Sequence, residues 1–107
     1  MACNKDTSVA RLAGALGSLA DPMEKVRVIS ELGCIGTEEA TGVLARALMK
    51  EEENLVREAI ISALLLCDTE AVIKEMTELL NQERDTRARV AALEVLAYKC
   101  WGQGSQQ

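Results

Sequence analysis

The chain has 107 residues and a formal net charge of −5, and it contains no His, no Phe, one Trp and one Tyr. This length predicts one domain, whose core must consist mainly of aliphatic side chains. The negative charge argues against binding to duplex DNA, RNA or anionic membranes, because those partners need a cationic face. The lack of His excludes Ser-His and Cys-His catalytic pairs within the chain.

Apolar residues at helical spacing predict six α-helices joined by short turns. Their expected bounds are about 7–19, 22–34, 38–50, 55–66, 70–81 and 87–100. The helix starts are indicated by residues that favour the first turn, which are Asp21 with Pro22, Thr37, Asn54, Asp68 or Thr69, and Asp85 or Thr86. Gly33 and Gly36 indicate the end of the second helix. The fourth helix is apolar on several sides, so we expect it at the centre of the fold.

The helices recur in pairs with a spacing of 32 residues. Residues 21–52 align with residues 53–84 without a gap, so that Ile29 meets Ile61 and Leu32 meets Leu64. A period of this size predicts stacked two-helix units that share one core. We call the second, fourth and sixth helices the A helices, and the first, third and fifth the B helices.

Segments 24–48 and 54–80 resemble the HEAT-like repeat, in particular the short type first described in phycobilisome lyases. The matching residues are Lys25, Leu32, Gly33, Gly36, Glu39, Ala40, Leu44 and Leu48, and more loosely Val56, Arg57, Ala59, Leu64, Ala71 and Leu80. The resemblance implies an all-α fold, a short right-handed α-solenoid of about six antiparallel helices. Most members of this class are scaffolds, adaptors or regulatory subunits, and a minority are bilin lyases, iron-dependent hydroxylases or DNA glycosylases.

We expect residues 7–101 to form a single HEAT-like domain, with flexible segments at 1–6 and 102–107. The chain starts without a secretory signal and has no apolar stretch long enough to cross a bilayer, which predicts a cytoplasmic location. The predicted function is a protein–protein interaction module, scaffold or regulatory adaptor with no catalytic activity and no cofactor. The alternative is an accessory subunit in the handling of a cofactor or chromophore.

Two surfaces are predicted to bind a partner protein. The first is the concave side of the solenoid, formed by the polar faces of the B helices at Arg11, Val43, Arg46, Lys50, Glu75 and Glu78. Its charge changes from basic to acidic along the stack, which suits a protein or peptide ligand. The second is the open C-terminal end, at Val95, Tyr98 and Trp101. Either the aromatic side chains fold over this end, or a partner covers it, which includes a second copy of the chain.

Charged residues also recur with the period. Acids at 21, 53 and 85 are each followed four residues later by a base, at Lys25, Arg57 and Arg89. We expect each acid to pair with its base in the first turn of an A helix, or with the base of a neighbouring repeat. These pairs are predicted to tie turns together, and a binding role for the basic column is the alternative.

The cysteines and two glycines complete the sequence-based predictions. Cys34, Cys67 and Cys100 are expected to be reduced, buried or half-buried thiols that bind no metal, and Cys3 is predicted to be the most reactive. Gly14 and Gly17 lie inside the first helix, where glycine is unfavourable. They either allow close packing on the second helix or form a close contact with another chain.

Overall fold

The computed structural model describes the backbone of residues 5–104 and the side chains of residues 9–100. Its helices are α1 (Lys5–Ser18), α2 (Pro22–Ile35), α3 (Glu38–Lys50), α4 (Asn54–Leu66), α5 (Thr69–Gln82) and α6 (Thr86–Gly104). All six predicted helices are present, and no strand occurs between residues 5 and 104. The main difference lies at the C-terminal end, where α6 continues through Gly102–Gly104, which the sequence predicted to be a tail. Residues 1–4 and 105–107, also predicted to be flexible, lie outside the described backbone.

The helices stack in two layers. The A helices α2, α4 and α6 lie side by side in one layer, and the B helices α1, α3 and α5 lie in the other. The fold is therefore an all-α solenoid, and it measures 37 × 33 × 22 Å along its principal axes. The core lies between the layers, and its largest fully buried side chains are Ile29, Leu32, Leu44, Leu48, Ile60, Leu64 and Met76.

Most helix starts follow the predicted capping chemistry. The Ala40 N–H donates to Thr37 Oγ1 at 3.2 Å, and the Ala71 N–H donates to Asp68 Oδ2 at 3.1 Å. Asp21 likewise accepts a hydrogen bond from the backbone of α2, which confirms its predicted role. The prediction for Asn54 is wrong, because α4 begins at Asn54 itself and the preceding residue occupies the cap position.

Two glycines fix how α2 meets its neighbours. Gly36 ends α2 in the left-handed conformation, with φ of 66°, as the sequence predicted. Its carbonyl then accepts a hydrogen bond of 3.3 Å from the N–H of Asp68, which links the turns of successive repeats. Gly33 lies where α2 crosses α4, so close to Ala63 that a methyl group on Gly33 would lie 2.9 Å from the Ala63 Cα.

Candidate functional site

The basic column of the repeat stabilises the ends of helices. Lys25 Nζ lies 3.4 Å from Glu51 Oε1, in a partly buried ion pair. Arg57 donates to the carbonyl of Glu51, and Arg89 Nη1 donates to the carbonyl of Glu83 at 3.1 Å. These carbonyls lie just beyond α3 and α5, where the helix dipole favours a cation.

The predicted partners of these bases are therefore wrong, although the structural role is confirmed. Asp21 and Asp85 accept hydrogen bonds from backbone N–H groups of their own helices instead. The carbonyl groups at the C-terminal end of a helix lack hydrogen-bond donors within that helix, so a nearby basic side chain can donate to them. The spacing of charged residues in the sequence does not reveal such a contact.

Lys99 is a buried cation that the sequence analysis missed. Its Nζ lies 2.9 Å from the Leu65 carbonyl, 2.7 Å from the Cys67 carbonyl and 3.4 Å from Thr69 Oγ1. The side chain thus joins α6 to the turn between α4 and α5. Comparison of the repeats could have identified Lys99. The equivalent positions, 32 and 64 residues earlier, hold the uncharged residues Cys67 and Ile35.

The cysteines differ in their exposure. Cys67 is buried and its Sγ lies 3.4 Å from the Ala63 carbonyl, whereas Cys34 and Cys100 are exposed. The prediction of buried or half-buried thiols is therefore wrong for Cys34 and Cys100, and Cys3 lies outside the described residues. Between residues 5 and 104, no group of three Cys, Asp or Glu side chains is arranged to hold a metal ion.

We expect iodoacetamide to modify Cys34 and Cys100 in the folded protein much faster than Cys67. Burial raises the pKa of the Cys67 thiol above its ordinary value, so that less of the reactive thiolate exists at neutral pH. Mass spectrometry after brief labelling at about pH 8 measures the three rates. In concentrated guanidinium chloride the rates should become similar, and equal rates in the folded protein would contradict the burial of Cys67.

α6 carries three of the six large apolar side chains that are more than half exposed among residues 9–100. Val90, Leu93 and Tyr98 are 55%, 54% and 58% exposed. Val95 was predicted to belong to this surface, but it is fully buried in the core, so that prediction is wrong. The side chain of Trp101 lies outside the described residues.

The repeat accounts for one of these exposed side chains, Leu93. Val90 and Leu93 lie 32 residues after Glu58 and Ile61, which line the groove between α4 and α6. Leu93 therefore occupies a position at which α4 faces the next A helix. Val90 lines the groove between α4 and α6 itself, and its equivalent Glu58 is exposed although α6 follows it. Among the described residues, no helix packs against the face of α6 that a following A helix would cover.

The opposite end of the stack is polar. Ala63 belongs to the face of α4 that meets α2, together with Val56 and Ala59 at helical spacing. The residues 32 positions earlier on α2 are Glu31, Glu24 and Arg27, and all three are exposed. The N-terminal end of the A layer thus has the polar surface that a terminal repeat normally carries, and α6 does not.

Part of the predicted concave surface is a groove between α1 and α3. It has a volume of about 320 Å³ and is lined by Ala13, Leu16, Gly17, Leu19, Lys25, Val43, Arg46, Ala47, Lys50 and Glu51. The structure therefore brings together three of the predicted residues, Val43, Arg46 and Lys50. Val43 is buried at its floor, whereas Arg46 and Lys50 are exposed.

The other predicted concave residues lie outside this groove. Glu75 approaches Arg46 on the far side, since a methyl group on Gly42 would lie 3.7 Å from Glu75 Oε2 and 3.7 Å from Arg46 Nη1. Arg11 and Glu78 are exposed on α1 and α5, and neither lines the groove. Their roles in binding remain predictions.

Gly14 and Gly17 do not serve close packing within the chain. Apart from the neighbouring residues and backbone of α1 itself, no described atom lies within 4 Å of a methyl group placed on either residue. One of the two explanations predicted for these glycines, close packing on α2, is therefore wrong. Gly17 borders the groove between α1 and α3.

Two layers of antiparallel helices that recur every 32 residues define an α-helical repeat protein. The family model of HEAT repeats matches residues 9–97, and the chain belongs to the HEAT-repeat family. No curated protein and no solved structure matches the chain. None of the described helices is long and apolar enough to cross a membrane. The finer resemblance to phycobilisome lyases remains a prediction.

Proposed function

We propose that this chain is a protein–protein interaction module, a scaffold or adaptor, that acts without catalysis and binds a partner protein through α6. HEAT repeats commonly mediate such interactions, which supports the general class. The observation that carries the proposal is the open face of α6. Leu93 is 54% exposed, whereas its equivalent Ile61, 32 residues earlier, is half-buried in the groove between α4 and α6.

The contrast between the two ends of the A layer strengthens this argument. Isolated apolar side chains on a surface are ordinary and need no explanation. Here, however, the exposed apolar residues share one helix face, and the corresponding face at the other end carries Glu24, Arg27 and Glu31. A partner that covers α6 removes Val90 and Leu93 from water, which supplies a hydrophobic driving force for binding.

Photo-crosslinking in the native host tests this proposal. A benzoylphenylalanine residue at position 93 should form a covalent adduct with a partner, and the same residue at position 27 serves as the control on the polar end. Adding Val90→Glu to the position-93 variant should remove the adduct, because a carboxylate is poorly tolerated in an apolar interface. Equal adducts at positions 27 and 93, or no adduct at position 93, would contradict a role for α6.

Light scattering on the purified protein identifies one kind of partner. A dimer that Val90→Glu dissociates would mean that a second copy covers α6, whereas a monomer would assign the face to a different protein. The cytoplasm as the place of action, and the absence of catalysis and of a cofactor, belong to the same proposal. The alternative role in cofactor or chromophore handling rests on the resemblance to lyases, and nothing in the described residues favours it.

A further inference from the structure

The groove between α1 and α3 is positively charged, although the protein as a whole is negatively charged. The chain carries a net charge of −5, yet three cations and one acid line this groove. Glu51 is held by Lys25 at 3.4 Å. Arg46 and Lys50 are exposed at the rim, and among residues 9–100 neither forms an ion pair within 4 Å, although Glu75 lies near Arg46 on the side away from the groove.

The floor of the same groove is apolar. Leu16 and Ala47 are half-buried, and Val43 is buried beneath them. Gly17 borders the groove without touching any other part of the chain, so its missing side chain leaves room for a ligand at this edge. A ligand that fits must combine an apolar group with negative charge, because it faces aliphatic carbons below and the cations of Arg46 and Lys50 above.

We infer that this groove binds an acidic peptide segment of a partner protein. One apolar side chain of the peptide packs on Leu16 and Val43, and its carboxylates pair with Arg46 and Lys50. The inference rests on the proposed function as an interaction module, but it concerns a surface separate from α6. The apolar floor distinguishes such a peptide from a nucleic acid, whose phosphates would leave Leu16 and Val43 without a partner.

Selection from a displayed library of random 12-residue peptides against the full-length chain tests this inference. The enriched peptides should contain Asp or Glu close to a Leu, Ile or Met. Their affinity is then measured by fluorescence anisotropy with a labelled copy of the enriched peptide. Arg46→Glu and Lys50→Glu should each weaken binding by about tenfold, since each removes a charge-assisted contact.

Two matched controls separate the groove from general effects. Lys74→Glu makes the same change in net charge as Lys50→Glu, but on the exposed surface of α5, and it should leave the affinity unchanged. Gly17→Leu should block the groove, whereas Gly14→Leu should not, although both positions have open space around them. Circular dichroism should show that the five groove and control variants remain folded.

Several results would overturn the inference. These are enrichment of peptides without acids, no enrichment at all, equal effects of Lys74→Glu and Lys50→Glu, or full binding by Gly17→Leu. Tighter binding of a labelled oligothymidylate than of the peptide would also overturn it. Leu93→Glu should leave peptide binding intact, because Leu93 does not line the groove. The groove hypothesis and the α6 hypothesis can therefore fail independently of each other.

Discussion

Replacing Gly33 by Ala should lower the free energy of unfolding by about 1–3 kcal/mol. The new methyl group would lie 2.9 Å from both the Cα and the Cβ of Ala63, and 3.2 Å from the Ala63 carbonyl oxygen. Two of these three atoms belong to the backbone of α4, so no rotamer change relieves the clash. The helices α2 and α4 must move apart, and this loosens the most extensive helix pair of the fold. Urea denaturation followed by circular dichroism measures the change.

Gly42→Ala is the matched control for this experiment. Gly42 is also buried within a helix, but a methyl group there would meet its nearest atoms at 3.7 Å, an ordinary contact distance. Ala is favoured over Gly in a helix interior by about 1 kcal/mol, so this variant should gain up to that amount of stability. If Gly33→Ala were as stable as Gly42→Ala, the close approach of α2 and α4 would be refuted.

Replacing Lys99 by Met should lower the free energy of unfolding by about 1.5–3 kcal/mol, the usual contribution of hydrogen bonds to a charged group. Met keeps the apolar length of the side chain but donates no hydrogen bond. The carbonyls of Leu65 and Cys67 would then lose a donor that lies 2.9 and 2.7 Å away. The loss should concentrate at the turn between α4 and α5, so hydrogen exchange there should accelerate.

The exposed Lys74 provides the comparison for Lys99. Its Nζ lies 3.7 Å from Glu38 Oε2, and both side chains are more than half exposed. An exposed ion pair contributes little to stability, so Lys74→Met should change it by less than about 1 kcal/mol. A Lys99→Met variant as stable as Lys74→Met would mean that water replaces the ammonium group at these carbonyls without cost.

The elements that local chemistry determines could be predicted from the sequence. The predicted bounds of α3 agree with the structure, because Thr37 caps its start and the acidic run at 51–53 follows its end. The left-handed end of α2 at Gly36 is local in the same way. The period of 32 residues then places the helices in two layers, since equivalent helices must present equivalent faces.

The orientation of single side chains on α6 was harder to predict. Apolar residues occur around much of this helix, so its pattern does not separate the buried Val95 from the exposed Val90 and Leu93. Only the position of α4 and α5 decides which of them faces the core. Lys99 was missed for a related reason, because its acceptors lie 30 or more residues away in the sequence.

The candidate surfaces also combine features that local sequence determines with features that depend on how distant helices pack. The B-helix pattern correctly placed Arg46, Lys50 and Val43 near one another, because they share a face of α3. It did not reveal the groove, which depends on the distance between α1 and α3. Nor did the sequence show that Gly17 borders open space, since it indicated close packing on α2 and left contact with another chain as the alternative.

The two ends of the A layer differ in polarity, so the solenoid can be lengthened more easily at one end than at the other. An engineered copy of residues 37–68, which supply a B helix followed by an A helix, inserted after α6 would bring an A helix onto the exposed apolar side chain of Leu93. An A helix added ahead of α1 would have to bury Glu24, Arg27 and Glu31 of α2, and taking charges out of water costs several kcal/mol for each ion. Designed extension of this solenoid should therefore succeed from its C-terminal side only.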